Sequence, residues 1–204
     1  KIVVFDSGLG SLSIIKAIQK KTKSDIIYLA DKKNFPYGKK TKSQLYKIVS
    51  DTIKKISERF DPDVIVLASN TPSLLFRENL PNNVITVLPP LKKILKPGNV
   101  AILTTEIVVK SKELDNYISE FNNLKNISKI NCSELVELVE SGKFLTHEKD
   151  CVKTILKVLK DEFKLNHRLN DTINNNPNNS NDGMYKILEM ILENQKLIMK
   201  KLDI

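Results

Sequence analysis

Cysteine is scarce in this chain: Cys132 and Cys151 are the only two among 204 residues, and neither belongs to a CxxC pair. Histidine is as rare, with two residues that do not cluster. A disulfide framework and a zinc site are therefore not expected, and a reducing, cytoplasmic setting is. No apolar run approaches the ~20 residues of a membrane-spanning helix, so a soluble protein with no membrane partner is expected. Position 1 is Lys, so any targeting segment would precede this sequence. Aromatic residues make up only 6%, and arginine does not cluster, which argues against a nucleic-acid partner despite the net charge of +9. Residues 1–60 carry 14 Lys and Arg against 5 Asp and Glu, while the rest of the chain balances. That excess reads first as a solvated lysine-rich face, and second as a surface that attracts phosphates or an acidic substrate.

What the chain does contain is ordinary for a globule: 41% hydrophobic and 28% charged residues, in a length that suits one large domain or two small ones. Apolar runs and amphipathic stretches alternate from the start, which predicts parallel βαβ units. Strands are expected over 2–5, 25–30, 63–68 and 84–88. Helices are expected over 12–20, 41–60 and 73–79, the second with Leu45, Ile48, Val49, Ile53 and Ile56 inward. Pro89-Pro90 opens a further helical stretch that Pro97-Gly98 ends, and a domain boundary is expected there. A second round follows, with strands over 100–103 and 127–131 and helices over 111–122, 135–139 and 146–163.

The expected organisation is thus an α/β fold of two flavodoxin-like parallel-sheet units facing a cleft, residues 1–96 and a second, truncated unit at 97–163. Between Asn166 and Asn181 there are 8 Asn and almost no apolar residues, so 164–183 reads as a linker. Residues 184–204 then read as an amphipathic helix with Met184, Leu188, Ile191, Ile198 and Leu202 on one seam. It would dock on its own domain or pair two copies in a homodimer.

Open α/β sheets bind ligands at the carboxyl ends of their strands. Asp6 and Ser7 end the first strand there, and Ser69, Asn70 and Thr71 end the β-branched run Asp63-Val64-Ile65-Val66-Leu67-Ala68. Gly8-Leu9-Gly10 follows the first strand, but GxGxxG is incomplete because position 13 is Ser, so the phosphate-loop signal is weak. A structural cap of the next helix is the plain alternative for Asp6.

Phe5-Asp6-Ser7-Gly8, Phe35-Pro36-Tyr37-Gly38 and Ala68-Ser69-Asn70-Thr71, in that order and spacing, resemble the cofactor-independent glutamate racemases of the aspartate/glutamate racemase superfamily. Thr104-Thr105 with Ser111, and Leu138-Val139-Glu140-Ser141-Gly142, continue the likeness over about residues 1–163. In that family two cysteines on opposite sides of the substrate exchange its α-proton. The resemblance implies an isomerase of an acidic amino acid, glutamate or aspartate, needing no cofactor and no metal and supplying D-glutamate for cell-wall synthesis. It implies Asp6 as the carboxylate assisting the first base and Ser7 as a substrate-binding hydroxyl. Pro36, Tyr37 and Gly38 would offer a turn of backbone amides, Asn70 and Thr71 would bind polar groups, and Thr105 and Glu140 would line the opposite wall.

Two departures accompany the likeness. Ser69 stands in the first catalytic cysteine's place, and a hydroxyl is far less acidic than a thiol of pKa about 8.5. After residue 163 the family's cysteine-threonine-histidine motif does not follow; Lys164-Leu165-Asn166-His167 leads into the Asn-rich segment instead. His167 is read as solvent-exposed, Cys132 and Cys151 as packing residues, and Val108 as a replacement for a threonine often found in the family. The alternative function is a catalytically impaired relative that binds an acidic amino acid as a binding or regulatory protein.

Overall fold

A computed structural model describes residues 1–8, 10–93, 99–121 and 126–163. The chain divides into two compact units, Lys1–Val158 and Leu159–Ile204, and every site residue discussed below belongs to the first. The boundary expected at 96/97, the linker 164–183 with His167, and the helix 184–204 all lie outside the described residues.

The first sheet has the order β2-β1-β3-β4, with β1 Ile2–Asp6, β2 Ile26–Ala30, β3 Val64–Leu67 and β4 Val84–Thr86. All of its pairings are parallel. β1 and β3 are central and covered on both faces, which is why they read as unbroken apolar runs: Val3, Val4, Phe5, Ile65 and Leu67 are fully buried. Each such side chain contributes about 1.5–3 kcal/mol on leaving water. The second sheet pairs β5 Asn99–Thr104 with β6 Asn126–Asn131, again in parallel. The expected parallel α/β architecture is thus observed.

Helix α1 spans Ser11–Gln19 and α2 Lys42–Phe60. Thr41 caps α2 by accepting from the Gln44 backbone N–H while the Gln44 side chain accepts from Thr41 N–H, a reciprocal capping box. Leu45, Val49, Ile53 and Ile56 form its buried face and join Val3, Phe5, Leu74, Phe76, Ile102, Val108 and Leu114 in one continuous core. That core runs from the first sheet through the helices to β5, so the two sheets are fixed by shared packing.

Several boundaries differ from the sequence-based expectations. Helix α3 is Asn70–Phe76, three residues earlier than 73–79. Pro72 is tolerated because it sits in the first turn, where backbone N–H groups lack helical partners anyway. The buried Ser73 hydroxyl donates to Leu67 O at 2.9 Å and accepts from Val87 N–H at 3.2 Å, tying the helix to the strand end. β4 is shorter than expected, ending at Thr86, and the stretch after Pro90 forms a 3-10 turn, Leu91–Lys93. The four-residue helix α4, Glu106–Val109, was not expected, being too short for any periodicity to register. Ser111 caps α5, Lys112–Ser119, and α6 spans Ser133–Glu140. The helix expected over 146–163 is α8, Glu148–Phe163, and a short helix that was not expected, α7 Lys143–Thr146, precedes it with His147 between them.

Candidate active site

The chain leaves β1 toward β2 on one side, while β3 lies on the other, so the carboxyl ends of β1 and β3 flank the point where the winding reverses. Asp6 and Ser7 end β1 there, and Ser69 follows β3. A cavity of about 380 Å³ opens at this place. Its lining includes Asp6, Ser7, Pro36, Tyr37, Gly38, Ser69, Asn70, Thr71 and Thr105. The tenth residue singled out from sequence, Glu140, ends α6 and its side chain lies outside those described. The acidic residue that lines this wall is Glu137, one turn earlier.

Asp6 is 6% exposed and accepts from the Ser7 backbone N–H at 2.6 Å. Burial pushes its carboxyl above the ordinary value, while hydrogen bonds from Ser7 and Gly8 N–H, the Ser69 side chain and Ser11 N–H pull the other way. Burial is the larger influence. Asp6 thus reaches the start of α1 through Ser11, yet the helix's own cap position, Gly10, makes no side-chain cap bond. The carboxylate serves the cavity and the helix entry together.

The second wall of the cavity is a turn. Phe35-Pro36 is a cis peptide, and Tyr37–Lys39 forms a 3-10 turn. Tyr37 is 2% exposed and its hydroxyl donates to Asp31 Oδ2 at 2.9 Å. Asn34 Nδ2 donates to the same carboxylate, so Asp31 anchors the loop from both sides. Burial, then the charge of Asp31, raise the Tyr37 phenol far above its usual range, so it stays a neutral donor.

Thr71 on α3 and Thr105 before α4 close the floor, their hydroxyls 3.1 Å apart and both residues buried. This bond joins an element of the first sheet's layer to the end of β5. The remaining wall is α6: Ser133, Val136 and Glu137. Ser133 is fixed by donating to Asn131 Oδ1 at 2.8 Å and accepting from Glu106 N–H at 3.1 Å. Lys39 and Glu137 meet as an ion pair across the cavity.

Residues that sequence reasoning missed are Lys39, Ser133, Val136 and Glu137, together with Ser13 and Ile14 of α1. The basic residue directly after the Pro-Tyr-Gly turn was the available signal for Lys39. Val108 packs in the core, fully buried, and does not line the cavity. Ser111 is likewise structural, its hydroxyl donating to Val108 O and accepting from Leu114 N–H. Cys132 and Cys151 are buried and do not line the cavity. Among the described residues no group of three or more His, Cys, Asp or Glu side chains could hold a metal. Likewise, no helix among them is long and apolar enough to cross a membrane.

The chain is similar to glutamate racemases. That of Leptospira borgpetersenii serovar Hardjo-bovis (strain JB197) is 31% identical over 170 residues, covering 79% of this chain and 65% of the relative. That of Clostridium botulinum (strain Alaska E43 / Type E3) is 31% identical over 169 residues, covering 78% and 63%. This chain therefore spans slightly less than two thirds of the length of these relatives. Among solved structures, Escherichia coli glutamate racemase in complex with L-glutamate and the activator UDP-MurNAc-ala superposes with a TM-score of 0.65 at 28% identity, covering 81% of this chain and 65% of that one. Glutamate racemase from Aquifex pyrophilus gives a TM-score of 0.60 at 26% identity, covering 78% and 65%. No protein-family model matches the chain.

Proposed function

We propose that this chain, which belongs to the glutamate racemase family, holds an acidic amino acid in the Asp6–Ser69–Thr105 cavity and acts as a racemase-like isomerase at its α-carbon. The observation that carries this reading is the convergence on one cavity of nine residues that three separate sequence motifs and Thr105 supply. The E. coli relative binds L-glutamate, and the same ligand class suits a cavity rich in hydroxyl, amide and backbone donors. In a glutamate-producing role the product would be D-glutamate for cell-wall synthesis.

In this reading the hydroxyls of Ser7, Thr71 and Thr105 and the Asn70 amide hold the carboxylates and ammonium of the substrate. The turn at Pro36, Tyr37 and Gly38 closes over it. The α-C–H then faces Ser69, whose hydroxyl is hydrogen-bonded to the buried Asp6 carboxylate. Asp6 polarises Ser69 and is the proton acceptor of that face. With no cofactor to delocalise the carbanion, the rate depends on how well the dyad and the carboxylate-binding hydroxyls stabilise developing charge.

A second reading is favoured by one observation: no thiol lines the cavity, since Ser69 holds the strand end and both cysteines are buried elsewhere. In it the chain binds the amino acid without exchanging its α-proton, as a binding or regulatory protein.

One experiment separates the two. The protein is incubated with L-glutamate, and separately with L-aspartate, in D2O; the α-proton signal is followed by NMR, with binding measured by calorimetry. Exchange accompanied by formation of the D-enantiomer supports the isomerase, whereas exchange with retention shows proton transfer on one face only. Binding without exchange supports the second reading, and absence of binding by either amino acid removes both.

A further inference from the structure

We propose that Lys39 is the specificity residue of the cavity, exchanging its partner Glu137 for the side-chain carboxylate of the bound amino acid. This inference rests on the reading of the cavity as an acidic-amino-acid site and goes beyond it by naming the group that selects the acid. An acidic amino acid brings two carboxylates and one ammonium, a net charge of −1. The cavity already carries the carboxylates of Asp6 and Glu137, and among the described residues Lys39 is its only cationic lining residue. A second anion beside two fixed ones is unfavourable unless a cation faces it.

Lys39 and Glu137 are paired across the cavity, from the turn after β2 on one side and from α6 on the other. Their side chains are 62% and 42% exposed, so the pair is of the solvated kind that opens at little cost. Opening it leaves neither member of the pair uncompensated: the Lys39 ammonium takes the distal carboxylate and Glu137 the substrate ammonium, while the α-carboxylate rests on the hydroxyls of the cavity. A neutral analogue such as glutamine gives Lys39 no carboxylate and must leave the pair intact or break it uncompensated. The exchange therefore selects acid over amide by charge, with length set by the reach of the lysine stem.

The test compares glutamate with glutamine, which has the same shape without the distal charge, on the full chain. Calorimetric affinities are measured for the parent and for Lys39→Met, Lys39→Arg and Glu137→Gln, with thermal melting as the folding control. Lys39→Met should weaken glutamate by about tenfold or more, the size of one charge-assisted contact, and leave glutamine within about twofold. Lys39→Arg should restore most of the preference, and Glu137→Gln should keep glutamate binding while weakening its ammonium contact. An unchanged glutamate-to-glutamine ratio in Lys39→Met overturns the proposal, and so does an equal loss of both ligands, which marks a structural tie. A parent that binds neither ligand brings down the acidic-amino-acid reading itself and is distinguishable from either result.

Discussion

Gly38 and Thr105 approach so closely that a β-carbon on Gly38 would lie 2.6 Å from Thr105 Cγ2 and 2.8 Å from its Cβ. Gly38 is needed for space, since its side of the cavity turn rests on the residue that also bonds Thr71. Gly38→Ala should destabilise the fold by about 1–3 kcal/mol and weaken amino-acid binding, because the turn must lift off the floor. Urea unfolding and calorimetry measure the two effects. Adding Thr105→Ser removes the nearer methyl and should recover part of the stability; a double variant no better than Gly38→Ala would refute the contact as the cause.

Tyr37 makes a second check on the same turn. Its hydroxyl gives the Asp31 carboxylate one of three side-chain hydrogen bonds, the others coming from Asn34. Tyr37→Phe should cost about 1–2 kcal/mol, and because the phenol stays protonated at all ordinary pH, the cost should not vary between pH 6 and 9. A loss that grows with pH above 8 would show an ionising phenol instead.

Asp6 has a sign that can be tested against pH. Its carboxyl is raised by burial, so the folded state holds the proton more tightly than the unfolded chain. Stability from this group is present below the unfolded value near 3.8 and is lost as pH rises through the folded value. Asp6→Asn removes that loss. Relative to the parent, the variant should therefore gain stability between pH 4 and 7, as read by denaturation midpoints at each pH, while losing function in the cavity. A variant that instead loses ground with rising pH would mean that the hydrogen bonds from Ser7, Gly8 and Ser69 outweigh burial.

The central strands, α2 and the strand-end polar residues were legible in the sequence because each is dictated by a local rule. Val3 to Phe5 and Ile65 to Leu67 are apolar because both faces are covered, and Thr41 with Gln44 announces a helix start. α3 starts three residues before the expected 73–79, and Pro72 is harmless there because it sits in the first turn. α4 has no periodicity to detect at four residues. Ser133, Val136 and Glu137 were invisible for another reason: they enter the cavity only through the packing of α6 beside the turn at Lys39. Val108, read as a replacement for a threonine often found in the family, is a fully buried core residue outside the cavity lining.

Ser69→Cys puts a thiol beside Asp6 at the end of β3 without lengthening the side chain by more than the larger sulfur. A thiol of ordinary pKa about 8.5 is a few per cent ionised at pH 7, whereas the serine hydroxyl is not measurably so. The adjacent carboxylate, bonded to Ser69 in the parent, will hold the thiol somewhat above that value. At pH 8 the variant should accelerate α-proton exchange of glutamate in D2O by about 100-fold over the parent. One thiol serves one face, and neither Cys132 nor Cys151 lines the cavity to serve the other. Deuterium should therefore enter one enantiomer with retention, with little inversion, when the α-proton signal and the chirality of the recovered glutamate are followed together. Efficient inversion would show a second proton donor on the opposite wall, and no gain in exchange would show that the α-carbon does not lie against Ser69.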